Sequence, residues 1–90
     1  MICLIKPQFE AGKEKVEKGG VVRDPKTHKE VIKNVVDFAK TLGYKIKGLT
    51  YSSIKGPSGN IEYLIWLATE NLEEDYNIEN TVKDAFSNLN

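Results

Sequence analysis

One cysteine, three prolines and no long apolar run exclude several classes of protein before any motif is read. Cys3 alone cannot close an internal disulfide or build a cysteine metal cluster, and a lone thiol suits a reducing compartment. No stretch approaches the ~20 apolar residues that span a bilayer. Met1-Ile2-Cys3-Leu4-Ile5 meets a charge at Lys6 too early for a signal peptide. Excess charge of one sign is missing too: thirteen basic residues cancel thirteen acidic ones, so no overall field marks a nucleic-acid or membrane binder. The expectation is a cytoplasmic protein with no membrane partner and no metal. What remains is 90 residues, 40% of them apolar, which suits one small domain with a marginal core better than a disordered segment.

Ile2-Cys3-Leu4-Ile5 is continuously apolar and reads as a strand buried on both faces. A domain seldom opens on its most buried strand, so Met1 is expected to mark an artificial start. Pro7 lacks an amide proton and ends the pairing. Residues 10–24 are charged and contain Gly12, Gly19 and Gly20, the composition of a long, irregular or partly helical surface loop. Val21-Val22 is placed to pack down on the core. Asp24 as cap, Pro25 in the first helical position and a Thr27/Glu30 capping box predict a helix over about 25–42. Its stripe is Val31, Val35, Phe38 and Leu42, flanked by Ile32, Val36 and Ala39, and Gly43 is the stop. His28 falls in the first turn and reads as exposed.

Tyr44–Leu49 alternates apolar and polar residues, the period of a half-exposed strand. The Gly-Pro and Ser-Gly of 52–59 make a turn. Ile61–Ala68 is apolar at all but one position and predicts a central strand covered on both faces, with Trp66 pointing to the core. Ile78, Val82, Ala85, Phe86 and Leu89 predict a final amphipathic helix, so that 70–90 forms a helical tail behind a 1–69 portion.

The helix joins the first two strands as a parallel crossover, and the short turn sends the third back antiparallel. With the most buried strand in the middle, the result is a three-stranded mixed α/β sheet of order first-third-second. Lys6, just past the first strand, and Glu62, at the start of the third, then share the rim where open α/β sheets bind ligands. Glu62 is the one charge in its apolar strand, and a buried carboxylate needs a cation or a solvated position. Lys6 is the candidate partner. The plainer reading is two unrelated charges at strand ends.

Three segments carry a resemblance: Leu4-Ile5-Lys6-Pro7-Gln8-Phe9-Glu10-Ala11-Gly12, Gly19-Gly20-Val21-Val22-Arg23-Asp24-Pro25, and Ile54-Lys55-Gly56-Pro57-Ser58-Gly59-Asn60-Ile61-Glu62-Tyr63-Leu64. In this order, over roughly residues 2–69, they resemble the C-terminal part of FtsJ-like methyltransferases of the hemolysin A (TlyA) type. The resemblance implies the last third of a Rossmann-like domain that methylates ribose 2′-hydroxyls of ribosomal RNA with S-adenosylmethionine. It also implies a Lys-Asp-Lys-Glu catalytic set, whose second lysine falls on Lys6 and whose glutamate falls on Glu62. Activation of a ribose hydroxyl fits such residues. A lysine takes up its proton only if the amine is held neutral, which burial or a second cation favours and a carboxylate opposes. Lys6 is therefore read as base or base-orienter, and Glu62 as orienter.

The set's first lysine and aspartate, the family's glycine-rich cofactor loop and its small N-terminal RNA-binding domain have no counterpart here. The piece is therefore expected to be inactive alone and not to hold S-adenosylmethionine. Lys13, Lys15, Lys18, Arg23 and Lys55 are candidate contacts to RNA phosphates, although Glu10, Glu14, Glu17 and Asp24 interleave with the loop cations and make a solvated mixed-charge loop the plainer reading. Asn60 suits either a ribose hydrogen bond or the turn itself. Two other functions stay open: a non-catalytic RNA-binding module, and a protein-interaction domain forming a homodimer through an exposed sheet edge or the last helix.

Overall fold

The computed structural model describes residues 1–12, 16–17, 19–56, 59–71 and 73–89. Three strands and three helices follow one another as β1 (Ile2–Ile5), α1 (Pro7–Glu10), α2 (Pro25–Thr41), β2 (Lys45–Tyr51), β3 (Tyr63–Ala68) and α3 (Ile78–Leu89). The sheet order is β1-β3-β2. β3 runs antiparallel to both neighbours, so every hydrogen-bonded pair is antiparallel while β1 and β2 share one direction across it.

Local chemistry sets the helix ends. Asp24 Oδ1 accepts from the Lys26 amide at 2.9 Å and Pro25 occupies the first turn of α2. Thr27 is buried rather than capping. Gly43 ends the helix at φ 91°, a conformation costly for any residue with a Cβ. Asn77 immediately precedes α3, its Oδ1 accepting from the Asn80 amide at 3.0 Å. Pro7 ends β1, as its missing amide requires, and also starts the single turn of α1.

The core lies between one sheet face and the two long helices. Ile5, Ile46, Tyr63, Ile65 and Leu67 face Val31, Ile32, Val36 and Ala39 of α2 and Val82 and Ala85 of α3. Burying each large side chain of this set stabilises by about 1.5–3 kcal/mol. The stripe of α2 is rotated from the expected one: Phe38 and Leu42 are exposed, whereas Thr27 and His28 are buried. Positions 28, 31/32, 35/36 and 39 form the continuous helical face, and His28 lies on it.

His28 is thus fully buried, not exposed. Its Nε2 lies 2.8 Å from the Val22 carbonyl and its Nδ1 lies 2.8 Å from the Tyr63 hydroxyl. A carbonyl only accepts, so Nε2 carries the proton and Nδ1 accepts from Tyr63. Burial holds His28 below the ordinary histidine range, against the upward pull of the Val22 carbonyl and Asp24. Burial also pushes the Tyr63 phenol up. Of the Val21-Val22 pair expected to pack down, Val22 is buried and Val21 half-buried.

The opposite sheet face is uncovered. Ile2, Leu4 and Trp66 are exposed there, and a depression of about 130 Å³ opens among Ile2, Gly48, Leu49, Thr50, Leu64, Ile65 and Trp66. Strand alternation accounts for this: Tyr63, Ile65 and Leu67 fill the core side, so Leu64 and Trp66 take the other. The expectations that β1 and β3 are covered on both faces and that Trp66 enters the core are corrected accordingly. Lys47, at a register irregularity between Ile46 and Gly48, places its ammonium 5.9 Å from the Trp66 ring centroid. On the outer strand β2, the Ile46 amide donates to Glu74 Oε2 at 2.7 Å instead of remaining open to another strand. That bond, with help from Lys40, holds the Glu74 carboxyl below its usual range.

Candidate active site at the sheet rim

The fold sets Lys6 and Glu62, 56 positions apart in sequence, each one residue beyond the pair that ends the β1–β3 ladder. Ile5 pairs with Tyr63 at the last step of the β1–β3 ladder. Lys6 retains an extended backbone, so the next step sets it opposite Glu62. On the other side the Ser52 amide donates to the Glu62 carbonyl at 2.8 Å, carrying the β2–β3 pairing to the same level. Glu62 therefore sits at the rim, braced by backbone on both sides.

Its side chain is 7% exposed, and its partner is not the expected cation. Gln8 Nε2 donates to Glu62 Oε2 at 3.0 Å. Among the described residues, Lys6 forms no ion pair; its half-buried side chain lies with the ammonium 5.8 Å from the Phe9 ring centroid. A neutral amide and backbone pairing thus stabilise the buried carboxylate where a lysine was expected. The Gln8 amide is only half satisfied: its Oε1 is buried without a hydrogen-bond partner among the described residues, a state that costs about 1–3 kcal/mol.

Gly56 makes room for this arrangement. A Cβ built there would fall 2.6 Å from the Glu62 carboxyl carbon. Its amide donates to the Asn60 carbonyl at 2.8 Å, which pins the turn against the carboxylate. Gly56→Ala is expected to displace Glu62 from Gln8 and destabilise the chain by about 1–3 kcal/mol, the usual cost of overpacking. Urea unfolding of the purified variant measures this, and an unchanged midpoint would show that the carboxylate has room to move.

Asn60 is buried and engages the backbone of the preceding loop. Its Oδ1 accepts from the Val22 amide at 3.1 Å and its Nδ2 donates to the Gly20 carbonyl at 2.8 Å. Val22 is consequently held twice, its amide by Asn60 and its carbonyl by His28. This fastening carries exposed Arg23 to the mouth of a cleft of about 400 Å³ lined by Val21, Val22, Arg23, Lys55, Gly59, Ile61 and Phe86. Two of the candidate RNA contacts, Arg23 and Lys55, thus meet at one opening. Lys13, Lys15 and Lys18 lie outside the described residues.

Sequence reasoning left Gln8 and His28 without roles. Gln8 stands inside the Lys6–Glu10 motif, but its partner is 54 residues away and only the strand register reveals it. For His28 a signal existed, since it stands three and four residues before Val31 and Ile32.

Among the described residues no group of acidic, histidine and cysteine side chains is arranged to hold a metal. No helix among them is long and apolar enough to cross a membrane.

Comparison with known proteins supplies the context. The chain is 53% identical over 66 residues to the "Putative rRNA methyltransferase YqxC" of Bacillus subtilis, covering 73% of this chain and 24% of that protein. It is 44% identical over 70 residues to the 16S/23S rRNA (cytidine-2′-O)-methyltransferase TlyA of Mycobacterium tuberculosis, covering 78% of this chain and 26% of that one. The chain thus spans about a quarter of the length of these relatives. Among solved structures, a "putative hemolysin" from Lactococcus lactis superposes with a TM-score of 0.84 at 45% identity, covering 92% of this chain and 41% of that one. Residues 1–69 match the pattern of the FtsJ-like methyltransferases. The chain belongs to the FtsJ-like methyltransferase family.

Proposed function

We propose that this chain supplies part of the catalytic rim of an S-adenosylmethionine-dependent methyltransferase acting on ribose 2′-hydroxyls of ribosomal RNA. The observation that carries the reading is the shared rim: half-buried Lys6 and buried Glu62 each lie one residue beyond the Ile5–Tyr63 pair that ends the β1–β3 ladder, and Gln8 holds the Glu62 carboxylate. The relatives' names give the substrate class.

The step these residues serve is loss of the ribose hydroxyl proton as the oxygen acquires its methyl group. Lys6 Nζ accepts that proton or orders the group that does, and Glu62 orients the amine or the ribose. Arg23 and Lys55, which line one cleft, contact RNA phosphates, and Lys13 and Lys15 are assigned the same role from their residue type in the sequence. Asn60 serves the same surface by fixing the backbone before Arg23.

The residues described here do not fit the cofactor. The Gly19-Gly20 turn closes back on Glu17, and the Gly59 amide is spent on the Gly56 carbonyl at 3.1 Å; neither opens a helix toward a ligand. S-adenosylmethionine is therefore assigned to the part of the protein corresponding to the remaining length of the relatives. That same part is the proposed cover for the Ile2–Leu4–Trp66 face. A second copy of the chain is the rival occupant, and concentration-dependent sedimentation of the whole protein would reveal it.

The test is incubation of the full-length protein with unmethylated ribosomal subunits and methyl-labelled cofactor. Label recovered on ribose 2′-oxygens is the expected result. RNA binding without transfer would leave a non-catalytic RNA-binding module. Absence of both would leave a protein-interaction domain.

A further inference from the structure

The Gln8 carboxamide is divided between a satisfied nitrogen and an unsatisfied oxygen. Its Nε2 holds Glu62 Oε2 at 3.0 Å, while its Oε1 is buried with no partner among the described residues. Two residues away, Lys6 is a cation with no ion pair among the described residues, resting near the exposed Phe9 ring. Gln8 and Lys6 flank Pro7, at the junction of β1 and α1, and Lys6 is set opposite Glu62. A buried acceptor without a donor and a nearby donor without an acceptor are complementary.

We propose that Gln8 is a positioning residue for the Lys6–Glu62 pair: its amide nitrogen fixes the Glu62 carboxylate, and its amide oxygen takes an N–H of Lys6 when the lysine turns from Phe9 to the substrate. The inference rests on the function proposed above and adds a third member to that pair. A neutral acceptor suits the task. A second carboxylate would favour the protonated amine and oppose proton uptake, whereas an amide oxygen orients the nitrogen without adding charge.

The experiment is a double-mutant cycle in the full-length protein, reading kcat and KM for RNA separately. Gln8→Met keeps the length of the side chain and removes both hydrogen bonds. It is expected to lower kcat by about 10- to 100-fold, the scale of a misplaced catalytic group, with KM within about twofold. In a Glu62→Gln background the same change is expected to cost at least about threefold less than in the native background, because the part of its effect exerted through Glu62 is lost while the part exerted on Lys6 remains. Equal losses in both backgrounds, or a Gln8→Met protein with kcat within twofold of native, would overturn the proposal.

If Gln8→Met does not fold, the paired exchange Gln8→Glu with Glu62→Gln restores an N–H···carboxylate bond with its ends reversed. It should then exceed Gln8→Glu alone in both thermal midpoint and, at least fivefold, in kcat. No gain on pairing would overturn the proposal. A native protein that transfers no methyl group would instead defeat the underlying function, and the two failures are distinguishable.

Discussion

Lys6→Ala in the full-length protein is expected to reduce the rate of ribose methylation by at least about 100-fold, the lower end of what a positioned acid–base group contributes. The loss should fall on kcat. Lys6 is a single cation at the rim, whereas the RNA phosphates are assigned to Arg23, Lys55 and the loop lysines, so affinity for RNA should change little. Stability should also be nearly unchanged, because the Lys6 side chain is only half-buried and forms no ion pair with any described residue. Lys6→Arg separates the two roles left open for this lysine. A guanidinium stays protonated at all accessible pH, so it can order a neighbour but cannot take up a proton. An arginine variant as inactive as alanine would identify Lys6 as the base. Recovery to within tenfold of native would identify it as the orienter, and a fully active alanine variant would remove it from the mechanism.

The largest stability effect is expected at His28. His28→Ala removes a fully buried ring packed edge-on against Tyr63 and Phe86, with centroids 5.6 and 4.9 Å away. It also strips the Val22 carbonyl and the Tyr63 hydroxyl of their partners. Cavity formation and two orphaned polar groups together should cost about 3–5 kcal/mol, a large share of what a domain of this size possesses. Because Val22 leads directly to Arg23, the same change should loosen the cleft mouth.

His28 also sets a pH dependence whose sign follows from its burial. The folded state holds the imidazole neutral, with a pKa below the ordinary 6.5. The unfolded chain therefore takes up a proton first as pH falls. Stability from this group is fully present above about pH 6.5 and is lost as pH falls from there through the lower folded value. Urea midpoints of the native chain at stepwise lower pH should show the decline. In a folded His28 variant such as His28→Gln the decline over this window should be smaller, and an identical profile would dissociate the acid sensitivity from His28.

How much was readable beforehand depends on whether a feature is written locally. Asp24-Pro25 and Gly43 bracket α2 because caps and stops act within a turn of the chain. The strand directions follow from a helix long enough for a crossover and a turn short enough to force a reversal, and the order follows from putting the most apolar strand in the middle. That order alone placed Lys6 and Glu62 on one rim. What stayed hidden depends on contacts distant in sequence. The apolar run 61–68, broken only by Glu62, assigns Trp66 to the core, yet among the described residues one sheet face alone is packed against helices. Glu62 was matched to a lysine on charge, whereas the register and the α1 turn deliver Gln8 to it instead. His28 is polar and was placed in water, although its helical position and two buried hydrogen bonds put it in the core.

A structure of the full-length protein bound to an RNA substrate and a non-reactive cofactor analogue tests the central claim most directly. Lys6 Nζ and a Glu62 carboxylate oxygen should both lie within hydrogen-bonding reach, about 2.6–3.2 Å directly or through one water, of the same ribose or of each other beside its 2′-hydroxyl. A target ribose held at another edge of the sheet, with Lys6 still against Phe9, would contradict it.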